Sequence, residues 1–317
     1  MKAFITDHQK NFLIEYIIAN YETHATQKNE GELFFGALTK ANRLDLSGKK
    51  TIIPFKNILL PNGIEASKVN QVQKLALVGL LNCDAWALRR FLKEFENSNL
   101  MPRREDIIIV EQECSPDKYC FCASLGTNHM ADCDLYIQEE ATGYSIFSQS
   151  DKGTSLLKKI GFKDSNRAPK IRSIEEEEML DLPELRKAIE DREPHEEFWK
   201  GISSNCFGCG ACTAVCPLCF CTRQDFENNP DGSCRQCLAW DSCFAKRFSE
   251  IQAHHDLRPE NVDRLYNWYH HKFVRGYFEN KHSLCTGCGR CIEACPANLN
   301  MKNILVSLLN RNEKINN

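Results

Sequence analysis

Two short, wholly apolar runs stand out in the first half of the chain, Leu75-Ala-Leu-Val-Gly-Leu-Leu81 and Ile107-Ile-Ile-Val110. Uninterrupted apolar stretches of this length predict strands buried on both faces. The first run leads through Asn82-Cys83-Asp84 into a helix whose Trp86, Leu88, Phe91, Leu92 and Phe95 fall mostly on one side, with Asp84 expected as its N-cap. The second passes through Glu111-Gln112-Glu113 to Cys114. Two strand ends thus each deliver a cysteine to the edge where α/β sheets build their sites. Charge then replaces hydrophobicity. Ile174 to Glu178 and the Pro183-led segment Glu184 to Glu190 predict a solvated helical connection. Beyond it, Val262, Leu265, Tyr266, Tyr269, Phe273 and Tyr277 recur at spacings of three and four, which predicts a helix over Glu260–Lys281 started by Arg258-Pro259. Leu238 to His254 is a second candidate helix. The pattern reads as an α+β chain: a mixed α/β domain over residues 1–195, then a helical domain over residues 196–317.

The cysteines change this picture. Of the 317 residues 18 are cysteine, and eight fall in two runs set 79 positions apart. These are Cys206-Phe-Gly-Cys209-Gly-Ala-Cys212-Thr-Ala-Val-Cys216-Pro217 and Cys285-Thr-Gly-Cys288-Gly-Arg-Cys291-Ile-Glu-Ala-Cys295-Pro296. Each is C-x2-C-x2-C-x3-C-P, the ligand pattern of a two-cluster [4Fe–4S] ferredoxin, in which the fourth cysteine serves the other cluster. Cys206, Cys209, Cys212 and Cys295 are therefore assigned to one cluster, and Cys285, Cys288, Cys291 and Cys216 to the second. Gly208 and Gly210 recur as Gly287 and Gly289, where the chain must turn tightly beside a cluster. A zinc ribbon would need two cysteine pairs, not two tight triplets each followed by C-x3-C-P. The helical domain is thus expected to be an α-helical dicluster ferredoxin. The 68 residues between Cys216 and Cys285 supply helices in place of short hairpins. Phe207, Phe220 and Trp240 beside the ligands read as ordinary core.

Cys83, Cys114, Cys120 and Cys122 form a candidate third [4Fe–4S] site, with zinc as the alternative. Three of these thiols lie on one loop, and the fourth lies just before a helix whose N-terminus favours an anionic group. Cys219, Cys221, Cys234, Cys237 and Cys243 are candidates for a further metal site, and Cys133 reads as a small core residue.

A net charge of −3 predicts neither a nucleic-acid partner nor attraction to an anionic membrane. No apolar run reaches spanning length and no signal-peptide pattern is present, so no membrane insertion is expected. The cysteines read as reduced and metal-bound in a cytoplasm, in an anaerobic or microaerobic cell. The chain shows no glycine-rich dinucleotide fingerprint, P-loop or HExxH helix, and no convincing triad. The histidines, including the pairs His254-His255 and His270-His271, read as solvated or interfacial. Substrate chemistry is therefore expected on another subunit. Two other readings stand beside this one: an oxidoreductase with its own substrate site at the N-terminal cluster, and a non-redox metal-binding scaffold.

The run Cys206–Cys221, followed by Trp240-Asp-Ser-Cys243 and His271-Lys-Phe273, resembles the iron–sulfur electron-transfer subunit of anaerobic sulfite reductase and, equally, the beta subunits of sulfhydrogenases. Asn82-Cys83-Asp84 and Glu113-Cys114 through Cys120-Phe-Cys122-Ala-Ser-Leu-Gly126 resemble that family's N-terminal cysteine segments, which supports the third site. Cys234 and Cys237 depart from its pattern. The resemblance covers roughly residues 70 to 300. It implies an electron-transfer component of a heteromeric complex, holding several [4Fe–4S] clusters. A flavin/NAD(P)H (or ferredoxin) partner would stand on one side of it and a catalytic redox subunit on the other.

Overall fold

The fold is that of a computed structural model describing residues 1–60, 64–65, 74–97, 101–165, 179–228, 230–231, 234–252 and 255–316. The expected connection from Ile174 to Glu178 lies outside the described residues, as does His254. The chain forms two compact units, and neither is a single stretch of sequence. The first comprises Met1–Asp117, Thr127–Ile174 and Gln224–Leu238, and the second Lys118–Gly126, Glu175–Arg223 and Ala239–Asn317. Residues 1–195, expected as one domain, are shared between the two.

The first unit is built on β1 (Lys2–Ile5), α1 (Asp7–Asn20), β2 (Glu22–Asn29), β3 (Glu32–Ala37), α2 (Lys56–Leu59), β4 (Ile64–Glu65), β5 (Leu75–Leu80), α3 (Asn82–Glu94), β6 (Ile107–Gln112), β7 (Leu135–Glu140), β8 (Gly143–Ser148) and α4 (Asp151–Lys159). Its sheet runs β1-β8-β7-β6-β5-β2-β3. The central pairs β2/β5, β5/β6 and β6/β7 are parallel, and the outer pairs antiparallel. Both apolar runs become the expected strands, with every residue of β5 and β6 buried. Alternation sends Ala76, Val78, Ile108 and Val110 into a core with Leu13, Ile14 and Ile17 of α1 and Leu156 and Leu157 of α4. The opposite face takes α3, whose Ala87, Leu88 and Phe91 are fully buried. β9 (Thr222–Asn228) and β10 (Cys234–Trp240) join β4 in a small sheet.

One expectation fails at the start of α3. Its N-cap is Leu81, which makes no side-chain capping bond, and the backbone N–H of Asp84 already donates to Leu81 O at 2.9 Å. Asp84 therefore sits inside the first turn, where its charge favours the positive end of the helix without capping it.

β6 also buries a carboxyl group. Glu111 is fully buried and accepts the Ala131 N–H at 3.2 Å. Burial pushes its carboxyl up to about 7, against the pull of hydrogen bonds from the Cys133 thiol and the Ala131 N–H. Cys133 is buried as expected, but as the partner of Glu111. A carboxyl raised from 4.5 to about 7 holds its proton in the folded chain at pH values where the unfolded chain has lost it. Its stabilising contribution is complete below about 4.5 and is lost as pH climbs through about 7. The loss amounts to about 3 kcal/mol. The urea midpoint of the first unit is expected to fall between pH 5.5 and 8, and Glu111→Gln to flatten that dependence. An unchanged slope would remove Glu111 as its source.

The second unit holds α5 (Leu182–Glu190), α6 (Glu196–Ser203), α7 (Ala211–Ala214), β11 (Glu250–Ile251), β12 (His255–Asp256), α8 (Asn261–His270), a π-helical turn over His271–Arg275, α9 (Gly276–Asn280), α10 (Arg290–Glu293) and α11 (Met301–Asn316). The helix expected over 260–281 is present, as α8, the π turn and α9. The segment expected as a solvated connection is corrected. α5 is amphipathic and buries Leu185, Ala188 and Ile189 with Trp199, Leu265, Trp268, Tyr269, Ile292, Met301 and Leu305. Of the helix expected over 238–254, the described residues 238–252 form no α-helix. β10 ends at Trp240, Asp241 Oδ1 accepts the Ser242 N–H at 2.7 Å, and Ser242 Oγ accepts the Phe244 N–H at 3.1 Å. These side-chain bonds to backbone compete with a helical ladder.

Candidate iron–sulfur site

The two cysteine runs fold alike, and glycine is the reason. Gly208, Gly210, Gly287 and Gly289 hold φ of +63°, +76°, +64° and +72°. This left-handed backbone penalises any residue with a Cβ. It lets each run coil back so that the N–H of Gly208 donates to Cys206 Sγ, and that of Gly287 to Cys285 Sγ, both at 3.4 Å. Gly210 and Gly289 then cap the one-turn helices α7 and α10, which raise Cys212 and Cys291 on their first turns. After the second run, the Leu299 N–H reaches Cys295 Sγ at 3.4 Å.

Cys206, Cys209, Cys212 and Cys295 line one cavity that is open at its mouth; Cys291, Trp268 and Tyr269 share the wall. The first three thiols come from one run and Cys295 from the other. Cys285 has Cys216 and Cys288 as electrostatic neighbours, and Cys291 has Cys285, Cys288, Cys216 and Cys212. The second unit thus holds all eight cysteines of the two runs, and Cys295 and Cys291 of the second run share a cavity with the first three cysteines of the first. Among the described residues, no three His, Cys, Asp or Glu side chains close around a single ion.

Electrostatics favours a cationic core at this place. Burial, then the neighbouring Cys206, pushes the Cys212 thiol up to about 12. Burial likewise raises Cys285 to about 12, against the pull of Lys272. Buried thiols crowded together resist ionisation unless metal cations compensate their charge. Trp268, which lines the cavity, has a buried indole N–H with no partner in the protein.

The two runs differ in cover. Cys209 is exposed and Phe207 beside it is 71% exposed, so the reading of Phe207 as core is corrected. At the matching places of the second run, Cys288 is 8% exposed and Thr286 4%. The cover is the segment Lys118–Gly126: the Phe121 N–H donates to Gly287 O at 2.7 Å, and Cys120 Sγ lies 3.8 Å from Cys288 O. Cys120 and Cys122 therefore lie against the second run.

Of the four cysteines expected at a third site, Cys83 and Cys114 belong to the first unit and Cys120 and Cys122 to the second. Within the first unit, parallel neighbours β5 and β6 end side by side, which brings Cys83 and Cys114 to the same edge of the sheet. Gln112 braces that edge through Gly79 O at 2.7 Å and the Gly48 N–H at 3.1 Å. Of the remaining cysteines, Cys221 and Cys243 share a hydrogen bond with Cys219 close by, and Cys237 is buried in the first unit.

Two features of the site enter the sequence reading only as part of the family resemblance, with no role assigned. Lys272 is 3% exposed and places its Nζ 3.2 Å from Cys216 Sγ. His271 beside it is depressed to about 4, first by burial and then by Arg275 and Lys272, so it is neutral at neutral pH. The signal available was a lysine on the apolar stripe of a helix, three residues after Tyr269.

Residues 205–299 match the model of the 4Fe-4S dicluster domain. The chain is 28% identical to Sulfhydrogenase 2 subunit beta of Pyrococcus furiosus over 294 residues, covering 86% of this chain and 87% of that protein. No solved structure matches it. Among the described residues, no helix is long and apolar enough to cross a membrane. The chain is therefore an iron–sulfur electron-transfer protein with a 4Fe-4S dicluster domain, similar to the sulfhydrogenase beta subunits.

Proposed function

We propose that this chain relays single electrons between a flavin/NAD(P)H or ferredoxin partner and a separate catalytic subunit of hydrogenase or sulfite reductase type. The observation carrying the proposal is the meeting of both cysteine runs in one helical unit, with Cys295 joining the cavity of the first run and Cys216 the thiols of the second. Cys206, Cys209, Cys212 and Cys295 would hold one [4Fe–4S] cluster, and Cys285, Cys288, Cys291 and Cys216 the other. Cys83, Cys114, Cys120 and Cys122 would hold a third. When bound, such clusters accept and release one electron at a time. The protein's part is to hold the thiolates, to aim the N–H groups of Gly208, Gly287 and Leu299 at their sulfurs, and to exclude water with Tyr269 and Trp268. The exposed edge at Phe207 and Cys209 is where a partner's redox centre comes within reach, because the second run is already covered. Cysteines held as metal ligands suit a reducing cytoplasm.

Affinity isolation of the tagged chain from its own cell under anaerobic conditions tests this reading. A flavoprotein and a metalloenzyme are expected to accompany it, and NAD(P)H or reduced ferredoxin to bleach its visible absorbance within the complex. A chain that turns over substrate with no other protein present would contradict a relay.

A further inference from the structure

Lys272 occupies a core position. It follows Leu265, Trp268 and Tyr269 on the inward face of α8 and falls in the π-helical turn that interrupts the helix. Such turns insert one residue into the helical register and often mark functional positions. A buried ammonium is costly unless it meets compensating charge and acceptors. Lys272 meets both. Its Nζ lies 3.2 Å from Cys216 Sγ and 3.0 Å from Leu284 O, with the Trp268 ring centroid at 5.3 Å. Its electrostatic neighbours are Cys216, Cys219 and Cys285, and it acts more weakly on Cys212 across the unit. A thiol S–H would not repay the burial of a full positive charge; a thiolate would.

Resting on the cluster assignment above, we infer that Lys272 is a positioning residue for electron transfer: its fixed charge raises the reduction potential of the Cys216-served cluster above the value it would otherwise have. It raises the potential of the Cys206 cluster less. Reduction of a cluster held at Cys216 would add negative charge 3.2 Å or more from the Lys272 ammonium, which is already in place to meet it. Lys272 acts through a hydrogen bond to the ligand sulfur, one of the protein levers on such potentials. Coulomb attraction falls with distance, so the nearest sulfur benefits most. The chain would thereby set a preferred order of reduction within its own pair.

EPR-monitored redox titration of the anaerobically isolated full chain tests the inference, with Lys272→Met and Lys272→Arg beside the unsubstituted protein and dithionite as reductant. The Met variant is expected to shift one cluster's midpoint to lower potential, to move the other less, and to leave the iron content unchanged. The Arg variant should stay close to the starting protein. Unmoved potentials, equal shifts of both clusters, or an Arg variant that moves as far as Met would overturn it. Should the Met variant lose a cluster, the unsubstituted protein decides. With lysine labelled by ¹⁵N at the ε position, pulsed EPR should detect that nitrogen coupled to one of the two signals, and no coupling to either would sink the inference. Failure of the underlying assignment looks different, since the unsubstituted protein would then give no cluster signals to titrate.

Discussion

Replacing Cys288 with alanine is expected to delete one cluster and spare the other. The chain should lose about four irons and one of the two EPR signals of the paired clusters. Electron delivery to the catalytic partner should fall by roughly 100-fold or more, since even outer contacts of a metal site are worth about 10 to 100-fold. Dye reduction by the flavin partner, which needs no step on this chain, should remain. The selectivity follows from the cavity, whose wall includes Cys206, Cys209, Cys212 and Cys295 and does not include Cys288. Cys295→Ala supplies the sharper comparison. It lies in the second run, seven residues after Cys288, yet it should abolish the signal that Cys288→Ala retains. Loss of the same signal from both variants would refute the crosswise sharing of ligands and leave each run serving its own cluster.

Gly287→Ala is expected to be among the most damaging small substitutions in the second unit. A Cβ there would collide with the Phe121 carbonyl and stand 2.6 Å from the Cys122 nitrogen, both of them backbone, which cannot swing aside. The φ of +64° adds about 1 kcal/mol of its own for a residue with a Cβ. The segment that covers Cys288 would have to lift off, breaking the Phe121 to Gly287 hydrogen bond of 2.7 Å. A total cost of about 3 kcal/mol or more is expected, read as a melting temperature roughly 6 to 12 °C lower in anaerobic calorimetry. Faster bleaching of the clusters by oxygen should accompany it. Gly201→Ala is the control. Nothing lies within 4 Å of its Cβ, and it sits inside α6, where alanine is the better helix former by about 1 kcal/mol. Equal melting temperatures for the two variants would show that the segment does not hold the loop.

The contrast between what could and could not be read from the sequence has physical causes. The strands at Leu75 and Ile107 were legible because burial on both faces demands unbroken apolarity, and the helix from 260 because one-sided burial imposes its period. The cysteine runs were legible because their ligand spacing is fixed by covalent geometry and chain reach. Local patterns could not show that α5 is packed and not solvated, since its charged residues face outward and only Leu185, Ala188 and Ile189 turn in. Nor could they show that the described residues 238–252 form no α-helix, because Asp241 and Ser242 divert the backbone through their own side chains. Lys272 and Glu111 were missed for a common reason. Each is an ionisable residue on a buried face, and its partner, Cys216 or Cys133, lies 56 or 22 positions away in sequence.

A crosswise pair of clusters is tested at its root by iron and acid-labile sulfide analysis of the anaerobically isolated chain, combined with EPR after dithionite reduction. The expected result is a brown protein with at least about eight irons and as many sulfides, about twelve if the third site is filled, and two mutually broadened signals from neighbouring clusters. A colourless chain containing zinc in place of iron, or two signals that show no mutual interaction, would contradict it.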